Sequence, residues 1–458
     1  MMRPRTTILA LLLVGLAAGA AHSGPAHPSI GVCTRKEEFA KRQKALDGLV
    51  AALSATGKES KAKGLRKKLV KAAEKDIECL MRYREKALVP VFAGVVKSSR
   101  RWFTRTRALY AIKMLGDRAG VPAAIDALSD KHDMVREAAA AALGHLGGEE
   151  AVKALVARRE KEKDPFVAAT IEAAHKLATA AKRPYDVYAG GEVWKEDLVG
   201  PEGARRVAWA WVVKGKKLFN RYDAKTLEVP VATEFSYPIA RYEEDLFAGY
   251  PRNSFGAGGT HAGEDCAWFR EGSGYYAIAD GVVRMVQGGG GDWGFLVAIE
   301  HRLADGRYLT AVYGHMAWDV LVEPGDLVTA GQRIGSQGLS TSVENGGYGS
   351  HVHFGIGDGP FRRPDGVAAG DEVTVDLEDG KTARLPVLRL VYAAEKKNSF
   401  GWPLTAMVVR RPDGTEQTVV VPEQELSHEI RWFQAYVKDC RGWKNPQKLL
   451  PELVNGKK

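Results

Sequence analysis

Apolar residues along the chain follow two different periods, and the change from one to the other divides the molecule. Between Arg35 and Arg183 they recur at helical spacing: Ala108, Ala111, Ile112 and Leu115 share one helix face, and Ala139, Ala142, Leu143 and Leu146 share another. A glycine, Gly116 or Gly147, closes each run, as a helix stop does. The pattern repeats every 31 residues: Leu115, Leu146 and Leu177 correspond, as do Ala111, Ala142 and Ala173, Val121 and Val152, and Asp133 and Asp164. Each unit is predicted to be a helix pair ended by an Asp-containing turn. From Gly249 to Gly359 the spacing changes to short β-type runs: Tyr276–Ile278, Val282–Val286, Phe295–Ile299, Tyr308–Tyr313 and Val352–Ile356. That segment holds 25 of the 50 glycines, and turn signals between short strands predict an all-β domain.

Alanine on the packing face lets helix pairs stack closely, and the front units resemble HEAT-like repeats. The predicted fold class is therefore multidomain, α then β: an N-terminal α-helical HEAT-like solenoid and a C-terminal all-β domain with a β-rich insertion. The expected boundaries are 33–183 for the repeats, 184–238 for a connector with short strands and 239–364 for the β core. An insertion follows over 365–425, and a closing segment over 426–458 contains Trp443, Pro446 and Leu449.

The first residues carry Arg3 and Arg5, then an apolar run from Ile8 to Ala21, then the small-x-small step Ala21, His22, Ser23. This is the layout of a secretory signal peptide, expected over 1–23. The apolar run is shorter than the ~20 residues a membrane-spanning helix needs, and no later stretch is apolar for that length. An exported protein of the periplasm or the extracellular envelope is expected. Export makes Cys33, Cys79, Cys266 and Cys440 candidates for disulfides, and pairing within each half of the chain is the economical arrangement. The four cysteines in 458 residues exclude a disulfide-built miniature scaffold.

Charge is unevenly placed. The net +10 divides into +14 over Cys33–Tyr185 and −6 from Asp186 onward, with Arg3 and Arg5 supplying the rest. The densest basic run is Lys58–Lys71. A solvated helix face is the ordinary meaning of such a run; an anionic envelope polymer or a protein partner on the repeats is the functional one. No nucleic-acid signature accompanies it.

Candidate chemistry gathers in the glycine-rich segment. Four of the eleven histidines fall in three settings: His261 four residues before Asp265, His315 after Tyr313 and Gly314, and His351 two residues before His353. Residues i and i+2 of a strand point to one face, so His351 and His353 converge. Imidazole and carboxylate are ordinary zinc ligands, and three of them with one open position make a catalytic site.

These residues carry a resemblance. His261, Gly263 and Asp265 form an H-x-G-x-D motif, Tyr313 and His315 a Y-x-H, and His351–Phe354 an H-x-H-F. The strand from Ala277 to Val283 and the stretch Val322–Gly335, reading V-x-x-G-x-x-V-x-x-G-Q-x-I-G, lie between them in the same order. The segment resembles the lysostaphin/LytM-type zinc metallopeptidases, exported enzymes that cut peptide bonds of bacterial peptidoglycan. The resemblance implies one Zn2+ per chain, held by His261, Asp265 and His353. His315 and His351 would act on water and on the tetrahedral intermediate, in roles that can be exchanged, and peptidoglycan stem or cross-link peptides would be the substrate. The alternative is a non-catalytic cell-wall-binding or amidase-regulating protein of the same fold. Glu264 and Cys266 beside Asp265, and the insertion after Phe354, depart from the family pattern.

Overall fold

The computed structural model describes residues 36–81, 83, 85–180, 197–199, 205–207, 219–222, 228–243, 263–268, 270–288, 294–317, 319–339, 349–361, 372–376, 382–392, 404–420 and 443–456. The expected signal peptide lies outside them. So do Cys33, Cys440 and His261.

The front of the chain is helical: α1 (Lys36–Ala55), α2 (Glu59–Leu80), α3 (Val89–Ser98), α4 (Trp102–Leu115), α5 (Val121–Ala127), α6 (Asp133–Leu146), α7 (Glu149–Arg159) and α8 (Pro165–Thr179). Helix α4 stops where the sequence places its glycine, because Gly116 adopts φ 62° and its N–H closes on the Ile112 carbonyl. Gly147 ends α6 with φ 65°. At the start of α8 the Asp164 carboxylate accepts from the Phe166 and Val167 N–H groups at 3.0 Å each, and Pro165 takes the first turn. One 31-residue period is thus one helix pair. The alanine-rich faces of α4, α6 and α8 pack side by side. A Cβ on Gly144 would lie 2.7 Å from the Ala174 Cα, so α6 and α8 touch backbone to backbone.

The back of the chain is built of strands: β1 (Asp197–Val199), β2 (Arg205–Val207), β3 (Phe219–Tyr222), β4 (Glu264–Cys266), β5 (Gly274–Tyr276), β6 (Gly281–Gly288), β7 (Phe295–Arg302), β8 (Tyr308–Met316), β9 (Leu327–Val328), β10 (Arg333–Ser336), β11 (Val352–Asp358), β12 (Glu372–Asp376), β13 (Thr382–Tyr392), β14 (Leu404–Arg410), β15 (Glu416–Val420) and β16 (Trp443–Lys444). The main antiparallel sheet has the order β16-β11-β8-β7-β6-β3, with β4 also pairing β11 and β9 pairing β6. Val283, Val297, Ile299, Tyr313, Phe354 and Ile356 are buried in its core. The expected strand Tyr276–Ile278 begins earlier, as β5; Ala277 still exchanges hydrogen bonds with Gly331 and Gln332 at 2.9 Å each, and the Ile278 N–H then donates to the Tyr313 hydroxyl at 3.0 Å. Strands β5 and β10 form a separate ribbon.

Part of the expected connector is woven into this sheet. Strand β3 pairs β6, the Ala232 N–H donates to the Arg302 carbonyl at 2.8 Å, and the Ser236 N–H donates to that of Ile278 at 2.7 Å. The insertion forms its own four-stranded sheet, β12-β13-β14-β15, around Val375, Leu385, Val387 and Val409. The chain then returns. Strand β16 pairs β11, and α9 (Pro446–Val454), capped by the Asn445 side chain, buries Leu450 in the main core. No helix of the described residues is long and apolar enough to cross a membrane.

Cysteine pairing differs from the expectation. Cys266 is a buried reduced thiol, not the partner of Cys440. Its position on β4, opposite Val352, packs the sulfur into the sheet core. Cys79 is buried and disulfide-bonded, its partner lying outside the described residues.

The chain's own β domain packs on helices α4 and α6 of the solenoid. Thr104 through Lys113 of α4 are all buried, whereas a surface helix normally keeps one face in water. Arg107 pairs Glu271 at 2.7 Å, Lys113 pairs Asp319 at 2.6 Å and Glu137 pairs Arg333 at 2.8 Å, all buried. A half-buried pair, Asp133 with Arg241, joins them at 2.8 Å. The basic run on α2 faces solvent: Lys61, Lys63, Lys67, Lys68 and Lys71 are exposed.

Candidate active site

Strand register brings four of the five expected residues together. On β4 and β11, Asp265 and His353 are direct cross-strand partners, and His353 also lies opposite Gly314 of β8. His315 therefore sits at the end of β8 beside His353, while His351 immediately precedes β11. The Asp265 Oδ1 lies 3.0 Å from the His353 Nδ1 and 3.5 Å from the His351 Nε2. The rings of His315 and His351 are 4.3 Å apart and tilted by 52°, and those of His315 and His353 are 6.1 Å apart, edge to face. All four residues are buried, at 4–5% exposure. His261 lies outside the described residues. Among the described residues no three His, Cys, Asp or Glu side chains form a group able to hold a metal.

Each side chain is held by its surroundings. The His351 Nδ1 is 2.6 Å from the Gly349 carbonyl, and a ring nitrogen in that position donates its hydrogen, leaving the lone pair on Nε2. Trp268 stacks on the same ring at 4.5 Å and 17°. His315 adopts φ 57°, an uncommon backbone conformation for a residue other than glycine. It is fixed from both sides: Tyr275 donates its hydroxyl hydrogen to the Gly314 carbonyl at 2.6 Å, and the Gly338 N–H donates to the His315 carbonyl at 3.0 Å. Such strain costs about 1–3 kcal/mol and is typical of functional sites.

Gly263 explains the glycine between His261 and Asp265. A Cβ there would lie 2.5 Å from the His353 Nε2 and 2.7 Å from the Phe354 carbonyl oxygen. Only a residue without a side chain lets this backbone pass against the histidine.

The two residues that depart from the family pattern serve the fold. Alternation along β4 turns Glu264 and Cys266 away from the face that carries Asp265. Glu264 accepts a hydrogen bond from the buried Tyr242 hydroxyl at 2.6 Å. Tyr313 likewise spends its hydroxyl on the Ile278 N–H, and burial pushes its pKa well above the ordinary tyrosine value. Residues that sequence reasoning missed are Trp268, Tyr275, Gln337 and Ser350. Trp268, three residues past Asp265, was open to view as an aromatic beside the motif; the others carry no local signal.

The chemistry of this donor set fits zinc. Its donors, a carboxylate oxygen with imidazole nitrogens at 3.0 and 3.5 Å from it, are the ligand types zinc takes.

Comparison with family models matches residues 259–364 to peptidase family M23 and residues 89–175 to HEAT repeats. The first match contains His261, Asp265, His315, His351 and His353; the second spans α3 to most of α8. No curated protein matches the chain.

Proposed function

We propose that this peptidase-family domain is an exported zinc-dependent endopeptidase that hydrolyses stem or cross-link peptides of peptidoglycan. The observation that carries the reading is the convergence of Asp265, His353, His351 and His315 on neighbouring strands inside the segment matched to peptidase family M23. His261, Asp265 and His353 would hold the metal. When bound, zinc supplies a Lewis acid that acidifies water and polarises a carbonyl. His351, with Nδ1 committed to Gly349, presents Nε2 to take the proton of the attacking water and return it to the leaving amine. His315 donates a hydrogen bond to the oxyanion that develops on the scissile carbonyl. Trp268 keeps the His351 ring from turning out of line. Export agrees with the N-terminal pattern and with the disulfide at Cys79.

The test is digestion of purified peptidoglycan by the mature protein, with and without a chelator, read by mass spectrometry. Cleavage at one type of peptide bond, lost with the chelator, is the expected result. Intact peptidoglycan with one zinc per chain would leave the non-catalytic binding reading in its place.

A further inference from the structure

We propose that the helical repeats act within the molecule: Lys113 of α4 and Glu137 of α6 are positioning residues that set His315 and His351 through strand β10. The proposal rests on the reading of those histidines as the reacting groups. The link is a continuous run of buried hydrogen bonds. Lys113 Nζ donates to the Asp319 carboxylate at 2.6 Å and lies 3.4 Å from the Ser336 hydroxyl, which itself donates to Asp319 at 2.9 Å. Asp319 follows His315 by four residues. Glu137 Oε1 accepts from the Gly274 N–H at 2.5 Å, the Tyr276 hydroxyl at 2.9 Å and Arg333 at 2.8 Å. Arg333 also donates to Thr170 of α8 at 2.9 Å and to Ser336 at 3.0 Å. Three repeat helices thus grip the one strand.

The other side of the same segment touches the histidines. The Ala317 N–H donates to the Ser336 carbonyl at 2.7 Å, and the Gly338 N–H to the His315 carbonyl at 3.0 Å. Gln337 donates to the Ser350 hydroxyl at 2.9 Å, and Ser350 donates to the Gly338 carbonyl at 2.7 Å. Ser350 is the residue before His351. Residues 336–338 therefore set the backbone of His315 in its left-handed conformation and the chain that delivers His351. Two cations and two anions of this network, Lys113 and Arg333 with Asp319 and Glu137, lie buried where the domains meet, although apolar docking would cost less desolvation. What such a satisfied network adds is one fixed arrangement, and here that arrangement ends at the site.

The experiment uses the full mature chain with Lys113→Met, Lys113→Arg and, as a docking control, Asp133→Asn, which weakens the Arg241 pair without touching β10. Turnover on peptidoglycan fragments, zinc content and the ring NMR resonances of His315 and His351 are measured for each. Lys113→Met is expected to lower kcat about 10–100-fold, the scale of a small misplacement of reacting groups. KM should stay within about twofold, zinc content should hold, and both ring signals should shift. Lys113→Arg should recover part of the turnover, and Asp133→Asn should keep it. Wild-type kcat and unshifted rings in a folded Lys113→Met would overturn the proposal. Should that variant not fold, Ser336→Ala removes the shared hydroxyl and leaves both ion pairs in place, with the same outcomes. A wild-type protein that cleaves nothing sinks the peptidase reading alone, because the ring signals still report whether Lys113 sets the histidines.

Discussion

Two histidines separated by a single valine have different surroundings, and the difference predicts different consequences of losing each. His353 faces Asp265 across the β4–β11 pair at 3.0 Å. His351 is tied to a backbone carbonyl and stacked under Trp268. His353→Ala is therefore expected to lose both bound zinc and activity, whereas His351→Ala should keep most of the metal and lose about 100-fold or more in turnover, the scale of a missing general base. Metal analysis beside a peptidoglycan assay separates them, and full zinc content in His353→Ala would refute its place as a ligand. The grouping of these residues was legible through the order of the motifs; strand spacing suggested that His351 and His353 share a face, but His351 stands just before β11 and is set by the Gly349 carbonyl. Cys266 was misjudged for a related reason. Alternation on β4 determines that its sulfur enters the core, but a strand of three residues shows no alternation to read in the sequence.

At the scale of elements, the turn between α7 and α8 is held by one carboxylate. Glu162 accepts from Arg136 at 2.8 and 2.9 Å, from Arg158 at 2.6 Å, and from the N–H groups of Lys163 and Asp164 at 3.0 Å. Burial would raise its pKa, but the Arg136 hydrogen bonds and the other donors hold it down to about 2, from an ordinary 4.5. A carboxyl lowered on folding contributes stability that is complete above the unfolded value and is lost as pH falls through the folded one. Helix content should accordingly fall between about pH 4.5 and 2, and Glu162→Gln should flatten that limb while lowering stability at neutral pH. An unchanged acid limb would show that Glu162 does not govern it. The helix ends themselves were legible, since Gly116, Gly147 and Asp164 act within a few residues of where they stand. The partners of Glu162 were not: Arg136 is 26 residues away, and a charged residue in a helical repeat reads as solvent-facing.

Across the whole molecule the same limit is larger. Arg107, Lys113 and Glu137 look like the wet side of a helix, and their partners lie 164, 206 and 196 residues further along. No local pattern encodes that meeting of the repeats with the chain's own β domain. Removing one member of a buried pair strands the other's charge and costs about 3–5 kcal/mol. Arg107→Met should therefore lower the melting temperature of both halves together, followed by calorimetry on the full chain. Two independent transitions in the wild-type protein would contradict the shared interface.

The order of synthesis gives that interface another meaning. Stacked helices close short-range contacts and fold early, and α4, α6 and α8 leave the ribosome well before β10. Glu137 and Thr170 precede Arg333 by 196 and 163 residues, so the helices that receive it are complete in the chain long before the strand that carries it. The repeats are then a mould for the β domain, and that domain is closed by β16 and α9, the last described elements of the chain, on β11 and the core.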